Sequence, residues 1–134
     1  MEIKQISYQS TWPIRHQVMW PDKPIDYVKL STDAEGLHLG LFVEDRLVSI
    51  VSAFLEKHVA QFRKFATLQE EQGKGYGSQL LSHLLSELKA MEVTRIWCNA
   101  RAEKASYYQR FGLNQTDKYF SRGEIKYVIM EMEV

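Results

Sequence analysis

A run of alternating glycines, Gln72-Gly73-Lys74-Gly75-Tyr76-Gly77, does most to limit what this chain can become. Residues 61–68 before it, Gln-Phe-Arg-Lys-Phe-Ala-Thr-Leu, have the aromatic and β-branched content of a strand. Residues 76–89 after it place Leu80, Leu81, Leu84, Leu85 and Leu88 on one apolar helix face. In a strand, glycine loop and helix in that order, backbone N–H groups at the helix start converge on an anion, because glycine carries no Cβ to block the approach. A phosphate-bearing ligand is therefore expected. Two well-known phosphate loops do not fit. A P-loop needs Lys followed by Ser or Thr after its second glycine, and a dinucleotide fingerprint needs Gly-x-Gly-x-x-Gly with an acidic residue about 20 positions on.

The stretch from Gln72 to Gly77 resembles in full the Gln/Arg-x-x-Gly-x-Gly/Ala signature of the GCN5-related N-acetyltransferase (GNAT) family. Downstream, Ala105-Ser106-Tyr107-Tyr108-Gln109-Arg110-Phe111-Gly112-Leu113 is similar to that family's Ala-x-aromatic-Tyr-x-x-x-Gly-Phe helix, with Leu113 in the place of Phe. The order of the two, with one strand between, also matches. Residues 98–103 and 119–132 further resemble the ElaA-like branch.

The resemblance implies a single α/β domain over residues 1–134, a mixed sheet of about six to seven strands, antiparallel then parallel, flanked by about four helices. It also implies acetyl-CoA as co-substrate, no metal, and transfer of its acetyl group to a primary amine on a small molecule or protein. The cofactor's pyrophosphate would lie on Gln72, Gly73, Lys74, Gly75, Tyr76, Gly77 and Ser78. Its pantetheine arm would pair with the backbone of Phe65, Ala66 and Thr67, where the fourth and fifth strands splay. Many members carry an Asn where this chain has Arg101, with Asn99 displaced by two, so Arg101 becomes the candidate contact there. Tyr108 is the expected donor to the departing thiolate, while Tyr107 packs inward. A non-catalytic acyl-CoA-binding sensor is the competing reading.

The rest of the chain agrees with one compact unit. Its 134 residues are enough for one core. Seventeen basic residues balance seventeen acidic ones, so no general field gathers nucleic acid or an anionic membrane. No apolar run approaches a membrane span and no signal peptide is apparent, which points to the cytoplasm; the single Cys98 agrees with a reducing compartment.

In order, residues 2–8 read as a strand, and residues 9–11 as an N-cap before a helix that carries Pro13 early and ends at Trp20-Pro21. An ordered loop to Ala34 follows, anchored by Ile25, Tyr27, Val28 and Leu30; the resemblance implies that this loop helps form the acceptor side, with Trp20 and Tyr27 as candidates there. Strands at 36–43, 47–55 and 59–68 form an antiparallel meander. The helix from 76 to about 91 crosses over to a parallel strand at 94–98. Polar residues 114–118 lead to a last strand at 124–133, open to the fifth or sixth strand or to a second subunit, homodimers being frequent among such domains. The general base has no telling spacing: Glu35, His38, Glu56, His58 and a water chain all qualify, with His38 favoured as structural.

Overall fold

The computed structural model describes residues 1–134. Strand β1 (Glu2–Gln5) is short because Ser7 already caps the first helix, its Oγ accepting from the Ser10 N–H at 3.2 Å. The expected cap at residues 9–11 is therefore corrected to Ser7, whose extended backbone at ψ 151° suits the position. Helix α1 (Tyr8–Ile14) carries Pro13 in its interior. Proline has no N–H to donate, and the chain widens directly after it into a π turn, Arg15–Met19. That turn stops at Trp20, as expected. Two 3-10 turns, Ile25–Val28 and Asp33–Glu35, order the loop beyond.

Strands β2 (Leu37–Val43), β3 (Arg46–Glu56) and β4 (Val59–Thr67) make the antiparallel meander. Glu44 and Asp45 both take positive φ, 49° and 66°, the geometry of a two-residue turn whose twist matches its flanking strands. Helix α2 (Tyr76–Ala90) buries Leu80, Leu81, Leu84, Leu85 and Leu88, the face its spacing predicts. Strand β5 (Arg95–Arg101), helix α3 (Ala105–Gln109), β6 (Asn114–Arg122) and β7 (Ile125–Glu133) complete a seven-stranded sheet in the order β1-β2-β3-β4-β5-β7-β6.

Three α-helices flank this sheet instead of about four, the remaining helical content being π and 3-10 turns. Residues 114–118 belong to β6, whose polar sequence reflects an edge strand with β7 alone beside it and a register shift between Gln115 and Tyr119. Strand β7 has β5 on one side and β6 on the other, so neither of its edges is open to a second subunit. No helix is long and apolar enough to cross a membrane.

One buried network escaped the sequence reading. Arg15 and Asp33, 0 % and 2 % exposed, form a bidentate pair with both N···O distances 2.9 Å. Asp33 also accepts from the Trp12 indole and the Leu30 N–H, each at 3.0 Å. Arg15 donates further to the Val28 carbonyl and to Ser52 Oγ. This pair ties the loop of residues 20–36 to α1 and the sheet, whereas two of the expected anchors, Ile25 and Tyr27, are exposed. Thr11, Ile14, Arg15 and Val18 share one helix face, so an arginine on the buried stripe was the available signal.

Candidate active site

The parallel ladder between β4 and β5 holds only three residue pairs: Val59 with Arg95, Ala60 with Ile96 and Gln61 with Trp97. Beyond Gln61 the strands diverge. A bulge in β4 accompanies the fork: Ser52 pairs with Arg63 and Ile50 with Ala66, so an extra residue is taken up between, where Lys64 adopts φ 56°. A left-handed lysine in a bulge bends its strand and raises its twist. The β4 edge over Phe65, Ala66 and Thr67 consequently faces the fork with no neighbouring strand.

The glycine loop lies against that part of β4. A Cβ on Gly77 would stand 3.2 Å from Thr67 Oγ1 and 3.3 Å from the Phe65 ring, so glycine here permits close contact of helix and strand. Gly73 and Gly75 have φ of 81° and 87°, and a Cβ on either would meet no atom within 4 Å. The N–H groups from Gly73 to Ser78 make no hydrogen bond within the chain; the first intrahelical bond at this end runs from Gln79 to the Gly75 carbonyl. A cradle of aligned donors at the positive end of α2 suits a pyrophosphate. The Gln72 amide donates to the Thr67 carbonyl at 2.9 Å, and the Lys74 ammonium lies 3.1 Å from Glu71. Both side chains thus brace the loop, leaving the backbone to meet the anion.

Helix α3 brings Tyr108 to the fork, its ring 5.9 Å from Phe62 of β4. Burial pushes the Tyr108 phenol well above its ordinary range, with Cys98 and Tyr107 acting the same way and Arg101 opposing. Tyr107 packs against the core, half-buried, and its hydroxyl lies 2.9 Å from Ser78 Oγ, linking α3 to the start of α2. Arg101 is exposed at the end of β5, close enough for its charge to act on Tyr108. Asn99 is exposed two residues earlier on the same strand. Burial lifts the Cys98 thiol to about 12, so it remains a neutral packing group.

The base candidates separate cleanly. His38 is 3 % exposed, its Nε2 donates to the Asp33 carbonyl at 2.7 Å, and its Nδ1 lies 2.7 Å from Ser52 Oγ. With both nitrogens committed, it has none left for a substrate amine. His58 is exposed beside the Glu92 carbonyl at the far end of β4. Glu35 and Glu56 line a cavity together with Trp97 and Arg63, next to the point where β4 and β5 part. Trp20 and Tyr27 meet edge to face at 5.1 Å on the surface.

A mixed sheet forked after three parallel pairs, with a glycine-rich helix start set against the fork, defines the acyl-CoA N-acyltransferase fold. The chain belongs to the GNAT family of acetyl-CoA-dependent N-acetyltransferases: residues 17–134 match that family's acetyltransferase (GNAT) domain. It is 33 % identical over 129 residues to the uncharacterised N-acetyltransferase YitI of Bacillus subtilis, spanning 90 % of this chain and 87 % of that one. Its fold is similar to a candidate N-acetyltransferase from Lactobacillus plantarum, with TM-score 0.85, 17 % identity and 99 % of each chain covered. It is also similar to Escherichia coli ElaA, with TM-score 0.84, 16 % identity, and 98 % of this chain and 99 % of that chain covered.

Proposed function

We propose that this chain transfers the acetyl group of acetyl-CoA to a primary amine by direct attack in a ternary complex. The observation that carries the reading is the run of free N–H donors from Gly73 to Ser78, set beside the unpaired β4 edge that ends at Thr67. The loop would hold the pyrophosphate, and Phe65, Ala66 and Thr67 would hydrogen-bond the pantetheine amides as a strand does. Arg101 and Tyr76 would contact the cofactor at the two ends of that path. A free β4 N–H polarises the thioester carbonyl as negative charge builds on its oxygen.

The acceptor amine first loses a proton, directly or through water, to Glu35 or Glu56, the two carboxylates lining the adjacent cavity. The new C–N bond then forms as the C–S bond breaks; Tyr108 passes its proton to the departing sulfur, and the proton that the nitrogen sheds on becoming an amide returns to the phenol through water. The phenol is held protonated by its surroundings, so the donor is present at every working pH. Unprotonated thiolate and ionised tyrosine never have to coexist.

Calorimetric titration with acetyl-CoA, followed by a free-thiol release assay over a panel of amines, tests the reading. Binding with amine-dependent thiol release is expected. Binding without release on any amine would favour a sensor, and no binding would end the acetyl-CoA reading. Gly75→Val supplies the control, because a β-branched residue at φ 87° costs about 1–2 kcal/mol of backbone strain and disturbs the donor cradle. Its Cβ meets no protein atom, so the fold should persist while affinity for acetyl-CoA falls at least about tenfold. Unchanged affinity would remove the loop from the site.

A further inference from the structure

Next to the fork lies a cavity of about 820 Å³, within the size range of small-ligand sites. Strand register fixes what stands on its floor. Phe54 of β3 pairs with Gln61 of β4, and Gln61 pairs with Trp97 of β5, so the three form one row across the sheet, and all three line the cavity. With strands about 4.8 Å apart, the two rings rise roughly 10 Å from each other with the Gln61 amide between them. This row is also the last of the closed ladder. Arg63, two residues on along β4, lines the cavity where the fork has opened, and Glu56, paired with Val59, lines it at the opposite, closed end.

The walls are set before any ligand arrives. Phe54 meets His38 edge to face at 5.9 Å, and His38 is itself held at both ring nitrogens. The Arg95 guanidinium, bound to Glu131, lies over the Trp97 ring at 5.7 Å. Both rings are only partly buried, so each keeps aromatic surface open to the cavity. The Gln61 amide makes no hydrogen bond within the chain and is not sealed from the cavity. Charge does not choose the occupant, because the lining carboxylates Glu35 and Glu56 are balanced by Lys57 and Arg63. An aliphatic occupant would strip water from the amide without replacing it, whereas a flat ring with a polar edge covers the walls and satisfies the amide.

We infer that the acceptor is a small arylalkylamine whose ring bears a hydroxyl or N–H, seated over Gln61 between Phe54 and Trp97 with its amine toward the fork. Two residues along β4 span about 7 Å. An amine on a two-carbon arm from that ring therefore arrives beside Arg63, at the mouth of the fork. Arg63, unlike Arg15, Arg46 and Arg95, holds no carboxylate. Its free guanidinium disfavours an ammonium next to it and so favours the neutral, nucleophilic amine. The ammonium proton leaves through water to the lining carboxylates. The inference rests on the acetyl-transfer reading and names its substrate class.

The experiment compares tyramine and tryptamine with phenethylamine and cyclohexylethylamine, each followed by thiol release with acetyl-CoA. The better of tyramine and tryptamine is expected to have kcat/KM at least about tenfold above cyclohexylethylamine, which has the same arm and similar bulk but no π face. Tyramine is expected about fivefold above phenethylamine, the worth of one neutral hydrogen bond. Gln61→Leu should erase the second ratio, and Trp97→Leu should reduce the first severalfold, while acetyl-CoA affinity stays within about twofold in both. Equal or better use of cyclohexylethylamine by the wild type would overturn the inference, whatever the variants do. So would an aryl preference that survives in both Trp97→Leu and Phe54→Leu, since the ring would then sit elsewhere. Absence of acetyl-CoA binding, or of thiol release with every amine, would remove the transfer reading and this inference together. Thiol release without aryl preference would remove this inference alone.

Discussion

Tyr108→Phe should lower kcat about a hundredfold or more while leaving the dissociation constant for acetyl-CoA within about twofold. General acids contribute roughly 10²–10⁴-fold to such steps, and the phenylalanine keeps the ring that packs on Phe62 and Tyr107. The Tyr108 hydroxyl makes no hydrogen bond inside the chain, so removing it leaves no buried group without a partner. Stopped turnover with intact binding separates donation to the leaving group from cofactor packing; an equal loss in both would assign Tyr108 to binding instead. The sign of the pH dependence follows from burial. Because the phenol is raised above its ordinary value of 10.0, kcat of the wild type should show no loss from its ionisation as pH rises from 7 to about 10. A descending limb in that range that disappears in Tyr108→Phe would contradict the assignment.

Asp33→Ala should be the most destabilising single substitution of those discussed. It leaves Arg15, which is 0 % exposed, with its charge uncompensated, and frees the Trp12 indole and the Leu30 N–H as well. Breaking a buried pair from one side costs about 3–5 kcal/mol, which for a domain of this size lowers Tm by roughly 10 °C or more. Thermal unfolding followed by circular dichroism measures it, and a shift under about 3 °C would show that the pair does not hold the loop. Arg15→Met combined with Asp33→Leu should be milder than the single change, since no lone charge remains. Acid unfolding provides the matching check. Burial raises the Asp33 pKa, but Arg15, the Leu30 N–H and Trp12 outweigh it, so the net value lies below the ordinary 3.8. A depressed carboxylate contributes its full stabilisation above the unfolded value and loses it as pH falls through the folded one. The gap in stability between wild type and Asp33→Ala should therefore be constant near neutrality and narrow below about pH 4.

Much of this architecture was legible because local signals were strong. Five leucines at helical spacing fixed α2 to within a residue, and the glycines placed its start. The parallel β4–β5 pairing followed from the crossover alone. That β4 and β5 splay was expected only from the family resemblance, and their parting already after Gln61 was not, since nothing in the alternation of β4 announces where a neighbour stops. Lys64 illustrates the limit: a left-handed lysine in a bulge has no compositional mark, because tertiary packing of Ser52 and Ile50 imposes it. Residues 114–118 of β6 read only as a polar stretch before the last strand, because an edge strand with two solvated faces loses its alternation. His38 and Arg63 carry the same lesson in opposite directions. One titratable side chain proves saturated by neighbours distant in sequence, and the other proves to have none, and only the fold distinguishes them.

The short seam between β4 and β5 has a mechanical meaning. The sheet consists of two panels, β1 to β4 and β5 to β7, sewn together at its face by three residue pairs. A chain-like ligand that hydrogen-bonds along β4 would lengthen the seam from outside, as an added strand lengthens a sheet. Its binding energy would then count toward cohesion of the panels, adding about 2.7 kcal/mol when the ligand stands at 100 times its dissociation constant. The resilience of this protein would thereby follow the supply of its own co-substrate, firm in an acetyl-CoA-rich cell and looser in a starved one.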